Sequence, residues 1–239
     1  MTQYTTDDFL GGKVRLKQPE KGYRATSDAV LLAAAVPVKN NQSILDVGAA
    51  TGIISLCLNT RAKNLKITAV ELQMELADLL RENAVMNEVA IDILIGDVLV
   101  GIPELKGRQF QHVVTNPPFY TEDPKRADVQ QETAYKQSFE LKKWITFCLR
   151  HLSPKGTFTM IHRTESLPAI LEILGDKLGG IEVIPILPKQ DTPSKRIIIR
   201  GILGSKKPFK LHPGLVMHEG DDTRTDVAEA IMRRGEPII

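Results

Sequence analysis

Ile44-Leu45-Asp46-Val47-Gly48-Ala49-Ala50-Thr51-Gly52 begins as an apolar strand and ends as a glycine-bearing turn, and the helical pattern Ile53–Arg61 follows at once. A buried strand that turns sharply into a helix opens a βαβ unit and leaves backbone N–H groups and a crevice at the strand's carboxyl end. Glycine at such a turn permits positive φ and the close approach of a ligand. Many α/β folds need glycine there for packing alone, so the neighbouring segments decide what the turn is for.

Outward from it, short apolar runs rich in β-branched residues alternate with longer helical patterns. Strands are expected over Ser43–Val47, Lys66–Glu71, Ile91–Ile95, Gln111–Thr115 and Thr157–His162. Helices are expected over Ile53–Arg61, Met74–Asn87, Phe139–Leu152 and Ser166–Leu178, with Ser153-Pro154-Lys155-Gly156 as a turn. This alternation implies a mostly parallel sheet, and right-handed crossovers make it a doubly wound α/β fold. Glu182–Leu187 and Arg196–Leu203 follow one another without a helix, which predicts an antiparallel pair closing one edge. Ahead of the first strand, Ser27–Val36 reads as a helix capped by Thr26, Ser27 or Asp28. No linker interrupts the chain, so residues 1–239 are expected to form a single domain.

With 239 residues, 42% of them hydrophobic, the chain is long enough to bury a large core. Its composition is that of neither a disordered nor a repeat protein. No apolar run nears the roughly 20 residues of a membrane span, and the polar start Met1–Asp8 lacks the pattern of a secretory signal. Cys57 and Cys148 match no metal or redox spacing and read as buried free thiols, which points to the cytoplasm. The five histidines show no metal spacing either, so no metal is expected. Net charge is +2, too small to demand a nucleic-acid partner. Lys13, Arg15, Lys17, Lys21 and Arg24 do form one basic cluster, and Lys195, Arg196, Arg200, Lys206, Lys207 and Lys210 a second. Together at one cleft they would suit a phosphate backbone; apart, they are solvated surface.

Acidic residues mark the ends of the next two strands. Glu71 closes the second, where a carboxylate can accept both ribose hydroxyls of a nucleoside, and Asp97 follows the third, where it can hold an adenine amino group. Each alone is equally well a capping or surface carboxylate. Three such marks at three consecutive strand ends favour a nucleoside site. The fourth strand ends in Thr115-Asn116-Pro117-Pro118-Phe119-Tyr120. Proline has no N–H and a fixed φ, and it pushes the residue before it into extended backbone. The Asn116 side-chain oxygen and the Pro117 carbonyl are then two rigid acceptors, suited to both hydrogens of an incoming NH2 group. Phe119 offers a flat face to the ring that carries the amine. No strong base is needed, because positioning and fixed dipoles supply the catalysis. In isolation Asn-Pro-Pro reads as an ordinary strand-ending turn; in this fold position the chemical reading prevails.

Here the sequence resembles the class I S-adenosylmethionine-dependent methyltransferases. Asp46, Gly48, Ala50 and Gly52 match their first motif, Glu71 their ribose-binding acid and Asp97 their adenine-side residue, while Asn116, Pro117, Pro118 and Phe119 match the signature of enzymes that methylate amino groups of adenine, guanine or glutamine amide. Ala50 departs from the motif by standing where a second glycine is common. The GxGxxG of dinucleotide dehydrogenases is absent. The resemblance extends to the bacterial tRNA1(Val) adenine methyltransferase group through Gly22–Leu32, Ala69–Leu72, Glu82-Asn83, Asn116–Tyr120 and the closing strand pair. It implies a Rossmann-like, doubly wound sheet with an antiparallel final strand, S-adenosylmethionine as cofactor, and an exocyclic adenine amine in RNA, tRNA foremost, as acceptor. Residues 1–40 would cap the cofactor site, with Arg24, Thr26 and Asp28 bordering its methionine end; equally, Thr26 and Asp28 cap a helix and Arg24 covers it. Tyr120, Lys125, Arg126, Lys189, Lys195 and Arg196 are the expected RNA contacts, although each also reads as ordinary surface. The alternatives are a guanine-amino or glutamine-amide methyltransferase and a non-catalytic cofactor-binding scaffold.

Overall fold

The computed structural model describes residues 3–118 and 140–238. The chain opens with a hairpin of β1 (Tyr4–Phe9) and β2 (Val14–Pro19), then α1 (Ser27–Ala35). The βαβ series follows as β3 (Ser43–Val47), α2 (Ile53–Arg61), β4 (Lys66–Glu71), α3 (Met74–Met86), β5 (Ile91–Ile95) and β6 (Phe110–Thr115). Helix α4, described over 140–150, leads to β7 (Leu152–Arg163) and α5 (Leu167–Leu174). Then come β8 (Leu178–Lys189), β9 (Arg196–Leu203), the short β10 (Lys210–Leu211) and β11 (Leu215–His218), and α6 (Asp226–Glu229).

The strands of the main sheet lie in the order β10-β8-β9-β7-β6-β3-β4-β5, and β11 also pairs with β8. Sheet growth runs from β3 through β4 to β5, then returns to add β6 on the other side of β3. A doubly wound sheet opens its crevice at such a reversal, beyond the carboxyl ends of the strands. Neighbours are parallel except β9, which is antiparallel to both β7 and β8. The expected antiparallel pair is therefore present, but it is not the edge. Two parallel strands of 2 and 4 residues, β10 and β11, follow it and pair with β8. They are too short to leave a periodic signal.

Successive residues of each strand face opposite layers. Ile44, Ile67, Val114, Ile161 and Ile198 pack against α1 and α2, whereas Leu45, Val47, Val113, Phe158, Met160 and Ile197 pack against α4 and α5. Helix α1 is buried from Ala29 to Ala35, so it is apolar nearly all round. Cys57 and Cys148 are buried free thiols, one in each layer. The Ser153–Gly156 turn is real and sits inside β7: the register against β6 jumps between Phe110 and His112, and Lys155 takes φ +63°. No described helix is long and apolar enough to cross a membrane.

The β1–β2 hairpin is held by side-chain amides. Buried Asn83 of α3 accepts the Lys17 N–H through Oδ1 (2.7 Å), and its Nδ2 donates to the carbonyls of Lys17 (2.9 Å) and Thr51 (3.0 Å). Asn87, one turn on, accepts from Arg15 N and donates to Arg15 O. Asn83 thus ties both the hairpin and the glycine turn to one helix. Asn83→Ala should cost about 3 kcal/mol, because it strands buried backbone donors and acceptors. Urea unfolding measures this, and a loss below about 0.5 kcal/mol, the level of an ordinary surface change, would contradict it.

Candidate active site

The ends of β3, β4, β5 and β6 converge on the crevice. Beyond β3, Gly48 and Gly52 have φ of +75° and +89°, a region that favours glycine. A Cβ on Gly48 would stand 3.0 Å from the Trp144 ring, and one on Gly52 2.9 Å from Leu80 Cγ, so neither position has room for a side chain. The Gly48 and Ala49 N–H groups both donate to the Val70 carbonyl (2.9 Å each), which folds the turn over the end of β4. Ala50 is also left-handed, at φ +49°, a conformation that costs a non-glycine residue about 1 kcal/mol. Its methyl packs against Leu76 and Leu79 of α3.

What holds Ala50 there is Glu71. The carboxylate takes the Ala50 N–H on Oε2 (2.8 Å) and the Gln73 N–H on Oε1 (2.8 Å), while only 6% exposed. Charge-assisted bonds of this kind are stronger than neutral ones, and each oxygen keeps a lone pair for a further donor. Asp46, on β3 beneath the turn, is fully buried; Oδ2 accepts from Ser55 Oγ (2.7 Å) and Oδ1 has no partner. Burial pushes its carboxyl up to about 7, against the Ser55 hydrogen bond that favours ionisation. Asp97 follows β5 and accepts the Leu99 N–H (2.8 Å), an Asx turn that leaves it half-buried.

On the β6 side, the Asn116 side-chain oxygen is buried and has no hydrogen-bond partner among the described residues. Pro117 is buried and Pro118 exposed. Thr115, the last residue of β6, donates from Oγ1 to the Val47 carbonyl (2.8 Å) and accepts from Trp144 Nε1 (2.8 Å). Phe119, Tyr120, Lys125 and Arg126 lie outside the described residues.

The segment before α1 has its side chains tied to neighbouring elements. The Arg24 guanidinium donates to Thr5 Oγ1, the Pro19 carbonyl and Asp7 Oδ2 (2.8–3.0 Å), and so fastens the hairpin to the segment leading into α1. Thr26 occupies the N-cap position with extended backbone, but its side chain makes no cap hydrogen bond. Asp28 accepts from Arg196 Nε of β9 (2.9 Å). Tyr23, just ahead of them and 39% exposed as a residue, has its phenol pushed up to about 12, by desolvation of the hydroxyl first, with the carboxylates of Asp46 and Glu71 adding to the rise. Its hydroxyl therefore stays protonated at neutral pH and can serve as a hydrogen-bond donor. Sequence reading passed over it because one tyrosine among Gly22–Asp28 has no spacing to mark it.

The basic clusters divide. Lys189, Lys195 and Arg196 lie at the carboxyl-end edge of the sheet, on the β8–β9 connection, where Lys189 pairs with Asp222 (2.9 Å) and Lys195 is exposed. Lys206, Lys207 and Lys210 follow the other end of β9, roughly 25 Å away along eight antiparallel residues. They do not share a cleft with the first group. Arg200, midway along β9, is paired with Glu182.

Comparison with known proteins agrees with this geometry. The methyltransferase small domain family model matches residues 25–184. A tRNA1(Val) (adenine(37)-N6)-methyltransferase of Shewanella halifaxensis is 30% identical over 156 residues, 64% of this chain and 63% of that protein's length. Its namesake in Aeromonas hydrophila is 28% identical over 207 residues, 84% of each chain. Among solved structures, a predicted O-methyltransferase of Agrobacterium tumefaciens superposes with a TM-score of 0.73 at 24% identity, covering 89% of this chain and 98% of its own. A Thermus thermophilus 16S rRNA N2 G1207 methyltransferase, solved with AdoMet and guanosine, gives 0.59 at 16% identity over 84% of this chain and 50% of its own. At these identities the structural likeness establishes the fold alone.

The raised Asp46 carboxyl has a consequence for stability. Between the ordinary carboxylate range and about pH 7 the folded chain keeps a proton at Asp46 that the unfolded chain has released, so this group lowers stability as pH rises through that window. Asp46→Asn is neutral throughout and lacks the slope. Its melting temperature relative to the parent should climb between about pH 5 and about pH 7.5; a difference independent of pH would contradict the assignment.

The residues of the crevice fit the cofactor: glycines where a Cβ has no room, the Glu71 carboxylate with a lone pair left on each oxygen, and a buried Asp46 oxygen without a partner among the described residues. The chain therefore belongs to the methyltransferase small domain family, and is a methyltransferase with S-adenosylmethionine as its methyl donor.

Proposed function

We propose that this methyltransferase acts on the exocyclic amino group of adenine in RNA, with tRNA as the substrate class. The observation that carries the amine reading is the Asn116 side-chain oxygen, buried and without a partner. An unsatisfied buried acceptor costs about 1–3 kcal/mol and in a native fold calls for an explanation. At the end of β6, followed by two prolines that bring no N–H, the fitting complement is a donor brought in from outside. An NH2 group has two hydrogens to give, to Asn116 Oδ1 and the Pro117 carbonyl, and a hydroxyl has one. Adenine and tRNA are supported by the relatives, whose names specify both.

Bound S-adenosylmethionine supplies an electrophilic methyl group on a sulfonium. Glu71, with a lone pair left on each oxygen, is the acceptor for the ribose hydroxyls, and Asp97 faces the adenine side. Gly48, Ala50 and Gly52 supply the turn, and Asp46 lies under it with Oδ1 open to a partner. Residues 1–40 serve as the cap over the cofactor site, with the Tyr23 phenol as a further donor there. On the acceptor side, Asn116 and Pro117 fix both N–H bonds so that the nitrogen lone pair points at the methyl group. Phe119 gives the base a surface to stack on, and the proton leaves once the nitrogen has attacked. Lys189, Lys195 and Arg196 at the same edge, with Tyr120, Lys125 and Arg126 after the motif, are the candidate contacts to the RNA backbone.

The test is transfer of labelled methyl groups from S-adenosylmethionine to tRNA, rRNA and protein fractions, followed by nucleoside analysis. Label is expected as N-methyladenosine from tRNA. Label in guanine or in glutamine would replace the acceptor, and none in any fraction would overturn the reading. Asn116→Ala should lower kcat roughly 100-fold or more, as loss of a positioned dipole does, with cofactor affinity little changed. Glu71→Ala should instead weaken cofactor binding by roughly tenfold or more, the worth of hydrogen bonds to a charged group. Equilibrium dialysis of labelled cofactor distinguishes the two, and an unchanged dissociation constant for Glu71→Ala would refute its ribose role.

A further inference from the structure

Trp144 joins the two halves of the site. It stands on α4, and its indole edge is the surface that leaves Gly48 no room for a Cβ (3.0 Å to Cζ2 and 3.2 Å to Cη2). From the same ring Nε1 donates to Thr115 Oγ1, and Thr115 donates onward to the carbonyl of Val47 (2.8 Å each). Val47 is the last residue of β3, immediately before the cofactor turn; Thr115 is the last of β6, immediately before Asn116. The hydroxyl is fully buried, so water does not compete for either bond. β3 and β6 already pair up to Val47 and Thr115. Beyond that register the backbone ladder stops, and the relay takes over at the point where the two functional loops diverge.

We propose that Trp144 is a positioning residue that sets the Gly48 turn and Asn116 at a fixed separation, its ring supporting the turn and its N–H orienting the end of β6 through Thr115. This rests on the reading of the crevice as a cofactor site facing an amine site. The two contacts have separable effects. The ring acts on the cofactor turn and so on cofactor affinity. The N–H acts on the Asn116 side and so on the rate of transfer to bound acceptor.

Trp144 is the only tryptophan in the chain, which gives the inference a readout independent of the acceptor. Binding of S-adenosylmethionine or S-adenosylhomocysteine should shift the intrinsic tryptophan emission of the parent protein, saturating with the dissociation constant found by dialysis. Trp144→Phe keeps a ring against Gly48 and deletes the donor; Thr115→Val deletes the hydroxyl. Each should lower kcat roughly tenfold, the worth of about one hydrogen bond, with cofactor affinity little changed. Because both break one relay, the double variant should be no slower than either single one. A residue that merely filled space would lower the melting temperature and leave kcat per folded molecule intact. Two results would overturn the proposal: emission unmoved at saturating cofactor, or Trp144→Phe and Thr115→Val both turning over like the parent. Should the parent methylate no RNA, the amine-site reading fails, and the emission arm still decides whether Trp144 senses the cofactor turn.

Discussion

Glu71 closes the end of β4 onto the end of β3. One carboxylate oxygen takes the N–H of Ala50, in a left-handed conformation alanine does not favour, and the other takes the N–H of Gln73 at the start of α3. Two backbone donors that the ends of strand and helix would otherwise leave unpaired are satisfied by one buried charge, and that charge is in turn stabilised by them. The glycine turn, the start of α3 and the floor of the crevice all follow from this clamp. The Glu71 charge bears on both Asp46 and the Tyr23 phenol, raising each. The arrangement concentrates negative potential where a cation of nucleoside shape would lie, while the sheet reversal at β3 keeps the far side of the crevice open to a second ligand.

On that far side the chemistry is one of withheld donors. Immediately after β6 stands Asn116, whose side-chain oxygen is buried and unanswered among the described residues, followed by two prolines that contribute no N–H. Buried Asn83, by contrast, is fully engaged, with three hydrogen bonds to the hairpin and the glycine turn. The contrast between two asparagines of one chain, one knitting the fold and one left open, is the clearest separation here between residues that stabilise and residues that act. Thr115 and Trp144 are the link between the open asparagine and the clamp.

Most of the central sheet was legible in the sequence because its strands are apolar, β-branched runs, with helices separating β3 from β4, β4 from β5 and β6 from β7. Ser43–Val47, Lys66–Glu71, Ile91–Ile95 and Arg196–Leu203 have the bounds that apolar patterning predicts. The N-terminal hairpin was not legible. Its strands are polar, Tyr4–Phe9 alternates exposed with half-buried residues, and its attachment runs through Asn83 and Asn87, distant in sequence. The two short strands that extend the sheet beyond β8 were missed because two to four residues carry no period. At the site, Asp46, Glu71 and Asn116 stood out by their places at strand ends, whereas Tyr23 and Trp144 had no motif to announce them. The contacts of both are tertiary, and only the folded chain brings them to the crevice. Arg24 shows the converse: a cation in a suggestive segment, whose guanidinium is committed to Thr5, Asp7 and Pro19.

One crevice presents a nucleoside-binding clamp and an amine-accepting strand end to each other. A crystal structure of the protein with S-adenosylhomocysteine and adenosine bound tests it most directly. The account predicts the cofactor ribose on Glu71, and the adenosine exocyclic nitrogen about 2.9 Å from Asn116 Oδ1, at ordinary hydrogen-bond distance. A cofactor seated away from Glu71, or an acceptor amine that leaves the Asn116 oxygen unpaired, would contradict it.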